Sequence, residues 1–273
     1  MVWKTDGSPH SGGIENEGVL KTALEQNPNM FGHEDVHGPI IEVEMKAGTK
    51  HKDDLRMLFA NGVTCRISAK RWSGGTHDWC NDSKTVNELR RESPIIDQLV
   101  RDTHTLVEGD LEERNAKGKI VVVEKQRVRA AKAGFKQLQW IEENPESFNL
   151  KHYIKTQFEK IRGQEVILND VENKQWVYYK AEDHPIFDKI DDPNWVPVLN
   201  INPTEKHPFP TSANIEGTGL RFRAVTNNGI TPMFGLSKAN NYTQSVFKIQ
   251  QSVSKLLATM EEQGKLKRVS YEG

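Results

Sequence analysis

An α/β fold is expected for this 273-residue chain, and three observations carry the expectation. Asp53–Trp72 (DDLRMLFANGVTCRISAKRW) reads as two strands joined by Ala60-Asn61-Gly62, a short hairpin loop in which Gly supplies φ > 0. Pro39–Lys46 (PIIEVEMK) reads as a strand just before it, with Glu42, Glu44 and Lys46 on one face and Val43 and Met45 on the other. A helical pattern precedes these strands, and a second helix and a short apolar strand follow. The order is therefore helix, three strands, helix, strand.

Polarity sets the register of the hairpin. With Phe59 opposite Val63, Met57 faces Cys65 and Leu55 faces Ile67, giving one continuous apolar face. The reverse face then holds Asp54, Arg56, Thr64, Arg66, Ser68 and Lys70, with Asp54 directly across from Ser68. A slip of one residue would bury Asp54 and expose the apolar set. A carboxylate beside an ammonium suits metal-assisted phosphodiester hydrolysis. The carboxylate can hold Mg²⁺, and the lysine can stabilise a phosphoryl anion or position a water. An amphipathic hairpin with a solvated charged face accounts for the same residues. Glu44-Met45-Lys46 is a rival Glu-X-Lys match on the preceding strand.

This hairpin, with an acidic residue on its first strand and Ser68-Ala69-Lys70 on its second, resembles the PD-(D/E)XK (restriction-endonuclease-like) nuclease superfamily over roughly residues 13–125. The resemblance implies an α-β-β-β-α-β core and a Mg²⁺-dependent DNA endonuclease, restriction-like, with Mn²⁺ able to substitute. Asp54 matches the metal-binding aspartate, Lys70 the catalytic lysine, and Glu17 in the first helix the helix-borne glutamate of many members. Asp53 stands where the family has Pro, and Ser68 where it usually has Asp or Glu. Glu44, on the adjacent strand, is then a candidate for the missing metal ligand, and Ser68 for holding a metal-bound water. A homing or resolving nuclease would use the same core. A module that kept the fold and lost the chemistry would bind nucleic acid without cutting it. Cutting both strands usually takes two active sites, so a homodimer is a candidate assembly.

Hydrophobic content of 36% and charged content of 27% describe a polar chain able to bury a core. No apolar run approaches the roughly 18 residues of a membrane span. The first residues lack an apolar signal core, so a cytoplasmic protein is expected. Cys65 and Cys80 are too few for a disulfide framework or a structural zinc site. A net charge of −1 means that any nucleic-acid surface must come from local segregation of charge.

The remaining elements follow in order. Ile14–Gln26 is expected to be a helix ended by Asn27-Pro28-Asn29, and Phe31–Gly38, with its His33, Glu34, Asp35 and His37, a loop. Lys52 enters the hairpin beside Asp54, and Arg71, Trp72 and His77 follow Lys70 in a Gly-containing loop. These four are candidates to touch bases or phosphates. Ser83–Glu108 reads as a helix, and Lys119–Glu124 (KIVVVE) as a fourth core strand. Lys125–Asn144 is a basic helical run in which Arg127, Arg129 and Lys132 suit a phosphate backbone or a solvated face equally. It is expected to line the same cleft as Asp54. The domain reading is 1–145 as the nuclease core and 146–273 as an α+β substrate-recognition region. In that region Trp176–Lys180, Trp195–Ile201, Leu220–Thr226 and Ile230–Leu236 read as strands, and Tyr242–Gln263 as the last helix.

Overall fold

The computed structural model describes residues 9–46, 53–72, 76–81, 91, 94, 97–98, 124–226 and 245–271. Two compact units share the chain. The first takes residues 1–75, 155–193 and 253–273, and the second takes 76–154 and 194–252. The chain passes between them four times, and position 145 falls inside the second.

The first unit starts with α1 (Pro9–Gln26), whose Leu20 and Leu24 are fully buried. A short helix α2 (His33–His37) follows where a loop is expected from sequence. Gly32 enters it at φ 80, and Asn29 accepts a hydrogen bond from the Glu34 N–H. The acidic residues Glu34 and Asp35 then lie at the positive end of the turn. Strands β1 (Ile40–Met45), β2 (Leu55–Phe59) and β3 (Thr64–Trp72) form an antiparallel meander. Its hairpin register is the one polarity predicts: Leu55 opposite Ile67 and Met57 opposite Cys65, with the Phe59 N–H bonded to the Val63 carbonyl. The apolar face packs on α1, where Leu55, Met57, Phe59 and Ile67 are wholly buried. Cys65 is only half-buried at the edge of that cluster.

The neighbour of β3 on its other side is β5 (Gln164–Asp170), which runs parallel to it, with Ser68 in register with Val166 and Lys70 with Leu168. This strand fills the place assigned from sequence to Lys119–Glu124. Residues 119–123 of that segment lie outside the described residues, and Glu124 opens a helix. The apolar Val166–Leu168 run of β5 is wholly buried, as suits a strand covered on both faces. Strands β6 (Gln175–Lys180) and β11 (Lys267–Ser270) complete the six-stranded sheet in the order β1-β2-β3-β5-β6-β11. Helix α5 (Ile186–Asp191) buries Ile186, Phe187 and Ile190. Helix α6 (Val253–Glu262) buries Val253, Leu256, Leu257 and Met260.

The second unit is built on an antiparallel sheet of five strands: β4 (Thr76–Asn81), β10 (Ser245–Ser252), β9 (Leu220–Thr226), β8 (Ser212–Ile215) and β7 (Leu199–Asn200), in that order. Two of these differ from the sequence expectation. Thr76–Asn81 is an edge strand rather than part of a loop. Residues 245–252 are a strand rather than the first half of the final helix. In the latter the Val246 and Ile249 spacing fits a helix, but pairing with neighbours on both sides satisfies the backbone as a ladder. Residues 230–236 lie outside the described residues, as does nearly all of 83–108, of which Arg91, Pro94, Asp97 and Gln98 are helical. Helix α3 (Glu124–Glu143) packs on β9 and β8, with Leu138 and Ile141 buried. Helix α4 (Leu150–Glu159) begins in this unit, where Tyr153 meets Phe222 edge-on, and ends in the first, where Phe158 meets Phe187. Among the described residues no helix is long and apolar enough to cross a membrane.

Two helical glycines give opposite expectations for the same substitution. A Cβ on Gly134 would lie 2.6 Å from the Ala224 carbonyl oxygen, whereas one on Gly18 meets nothing within 4 Å. Ala is the better helix former by about 1 kcal/mol, while overpacking costs about 1–3 kcal/mol. Gly18→Ala is therefore expected to raise the urea midpoint and Gly134→Ala to lower it.

Candidate active site

The β2–β3 hairpin assembles three of the side chains singled out from sequence. Asp54 ends the regular ladder just before β2: its N–H bonds to the Ile67 carbonyl and its carbonyl accepts from the Lys46 N–H. Its carboxylate Oδ2 then accepts the Ala69 N–H at 2.8 Å, a role the next backbone carbonyl of an uninterrupted ladder would fill. The Ser68 hydroxyl and the Lys70 ammonium each lie 3.4 Å from the same oxygen. Ser68 is buried, whereas Asp54 and Lys70 are partly open. Oδ1 of Asp54 makes no hydrogen bond among the described residues.

Glu44 shares this face one row away, opposite Arg56 in register. Its carboxylate is held by Lys46, whose hydrogen bond and charge draw its pKa below the ordinary carboxylate range. Glu17 is half-buried on α1, which packs on the reverse face, against Ile67 and Ala69. The residue before it, Asn16, is buried and accepts a hydrogen bond from Asn169, which in turn accepts one from Tyr271. Among the described residues no three His, Cys, Asp or Glu side chains converge on a metal-sized site. Mg²⁺ is commonly held by one or two carboxylates, with water and substrate phosphates completing its shell. The open oxygen of Asp54 meets the low end of that requirement.

The other candidates belong to another part of the hairpin or to the second unit, or lie outside the described residues. Trp72 shares the Lys70 face by strand alternation, and its indole N–H is buried with no hydrogen-bond partner among the described residues. Arg71 belongs to the opposite face, near Tyr271. Lys52 lies outside the described residues. His77 lies in β4, and Arg127, Arg129 and Lys132 in α3, all in the second unit. Lys132 is exposed, its ammonium 5.0 Å from the centre of the Phe209 ring.

Two clusters had no signal in the hairpin motif. Asp53 is buried beside Arg56. Burial opposes its ionisation, yet the Arg56 hydrogen bond and charge, with a backbone N–H, hold its carboxyl below the usual range. On the apolar face, the buried His33 donates from Nε2 to Glu165 at 2.6 Å, and the Tyr178 hydroxyl donates to the other oxygen of Glu165 at 3.1 Å. The interval of 132 residues between His33 and Glu165 hides this pair from any local reading.

Neither a scan of protein-family models nor a search of curated proteins finds a match to the chain.

Burial, and then the Glu165 charge, push the Cys65 thiol up to about 11. Alkylation of Cys65 in the folded protein is therefore expected to follow a titration centred near that pH, well above the ordinary thiol value of about 8.5. Because the folded value is the higher one, the stabilisation is complete below the unfolded pKa and fades as pH rises through the folded one. Iodoacetamide labelling rates across pH, with a denatured control, check both values.

Proposed function

We propose that this protein is a Mg²⁺-dependent DNA endonuclease of the restriction-endonuclease-like kind. The convergence of Asp54, Ser68 and Lys70 on one end of the β2–β3 hairpin carries the reading. With the one-turn helix α2 set aside, the order α1, β1, β2, β3, α4, β5 supports it, since that is the α-β-β-β-α-β order which the family implies. Here the second unit enters after β3, ahead of the helix and strand that continue the core.

Asp54 would hold Mg²⁺ through Oδ1, and the ion would act as a Lewis acid on the phosphodiester, whereas Glu17, the helix-borne candidate, belongs to the reverse face. The Ala69 N–H anchors Oδ2 and so fixes the carboxylate plane. Lys70, beside Asp54, would stabilise charge developing on the phosphoryl oxygens or orient the attacking water. Ser68 steadies Asp54 from a buried position. Cleavage of both strands would take a second copy of the chain.

A second reading has an observation in its favour. The bond from Ala69 gives Asp54 a purely structural use, as a cap on the ladder, and the residues around it include no second uncommitted carboxylate among those described. A nucleic-acid-binding module without cleavage would look the same.

Supercoiled plasmid in Mg²⁺ separates the two. The expected outcome is nicking or cutting by the wild type and none by Asp54→Asn or Lys70→Ala, both folded, because Asn can still accept the Ala69 N–H. Asp54→Asn is expected to weaken Mn²⁺ binding and Lys70→Ala to spare it. Ser68→Ala should slow cleavage only by the worth of one hydrogen bond, about 0.5–1.5 kcal/mol, or about 2- to 12-fold. Activity lost in Glu44→Gln and Lys46→Ala but kept in Asp54→Asn would move the site to β1. No cleavage by the wild type in Mg²⁺ or Mn²⁺, with duplex binding retained, would select the second reading.

A further inference from the structure

We propose that the polar face of the second unit's sheet is a docking surface for the phosphate backbone of duplex DNA. This rests on the reading of DNA as substrate, and it concerns a different sheet from the one that carries Asp54. The sheet has two unlike faces. Leu199, Ala213, Ile215, Leu220, Phe222, Ala224 and Ile249 are buried on the side where α3 packs. The intervening residues form cross-strand rows on the other side. One row runs Asn200, Asn214, Arg221, Gln250, and the next pairs Ser212, Arg223 and Lys248.

Three features of these rows point to an anionic ligand. Arg221 and Arg223 are half-exposed, and neither makes a hydrogen bond or ion pair among the described residues. Such a guanidinium offers all five donors to a partner outside the chain. Arg223 is directly opposite Lys248, which adds a third cationic residue to the rows. The exposed amides of Asn200 and Asn214, in the Arg221 row, add further donors, the mix that phosphate and groove contacts use. The register puts one acidic residue, Asp78, opposite Gln250 on the edge strand β4, so the cations concentrate on β9 and β10. The two arginines stand two residues apart on one strand, about 7 Å along it, and so present a line of charge rather than a pocket. A line of charge fits a polyanionic backbone better than a small anion.

The test is fluorescence anisotropy of a labelled duplex in EDTA, so that binding is read without cleavage, at salt concentrations between about 50 and about 200 mM. The full-length chain is compared with Arg221→Gln/Arg223→Gln, with Arg221→Lys/Arg223→Lys, and with Lys132→Ala/Lys136→Ala on α3. Each phosphate contact contributes about 0.9 to the slope of log K against log salt, so losing two should flatten it by about 1.8 and weaken binding about 60-fold at 0.1 M salt. The lysine pair should restore most of that slope. Thermal melts should match the wild type in all variants, because neither arginine has a hydrogen bond or ion pair to lose among the described residues. Wild-type slope and affinity in the glutamine pair would overturn the assignment while leaving DNA binding intact. Loss confined to the α3 pair would overturn it too, and would assign the backbone to that helix. Failure of the wild type itself to bind duplex at about 50 mM salt would instead remove the DNA reading on which the proposal rests.

Discussion

The register of β2 against β3 is the constraint on which the rest of the first unit depends. Leu55, Met57, Phe59 and Ile67 reach the α1 core only if Leu55 stands opposite Ile67. The same pairing brings Asp54 to Ser68 and sets the Ala69 N–H free to bind a side-chain oxygen. A strand alternates strictly, so core and candidate site cannot be adjusted separately. Burial of four large side chains holds the register, and the register then delivers the carboxylate and ammonium to one place. The polar face adds little to stability itself. Its Lys70–Asp54 and Lys46–Glu44 pairs are partly open to water, where ion pairs contribute about 0–1 kcal/mol.

The chemistry of the hairpin end depends on which contacts Asp54 keeps. Oδ2 is engaged three times over, by a backbone N–H, a hydroxyl and an ammonium. That arrangement fixes the carboxylate and leaves Oδ1 without a hydrogen bond among the described residues. Glu44 is placed on the same face but committed to Lys46. Of these two acidic residues, Asp54 is held by a backbone N–H and Glu44 by a lysine.

Much of this was legible from residues close in sequence. The meander, the first helix and the side-by-side placement of Asp54 and Lys70 follow from alternation and one glycine loop. Segments that pair over long distances were not. Gln164–Asp170 is a short apolar run between polar residues, and only its pairing with β3 identifies it as a core strand, a place that local pattern assigns to the similar KIVVVE run. The stretch ending in the last helix carries a helical stripe throughout, yet its first half is held as a strand by two ladders. Helix α2 turns on Asn29 and Gly32, a local cap overshadowed by the His and acidic residues beside it. In the candidate site, nothing in the hairpin's own pattern announced the Asp53–Arg56 pair or the His33–Glu165–Tyr178 cluster.

The parallel pairing of β3 with β5 has a kinetic consequence. Ser68 and Val166 are neighbours in the sheet but are separated by a whole second unit's first segment in the chain. The antiparallel meander can zip from its own loop, whereas the β3–β5 ladder must wait for a long excursion to return. Closing such a loop costs entropy that grows only slowly with its length, so the equilibrium penalty is small and the delay is not. During that delay one edge of β3 stands open, a template for any passing strand. Early compaction of residues 76–154 would shorten the interval, giving the inserted unit a part in the refolding yield of the sheet that it interrupts.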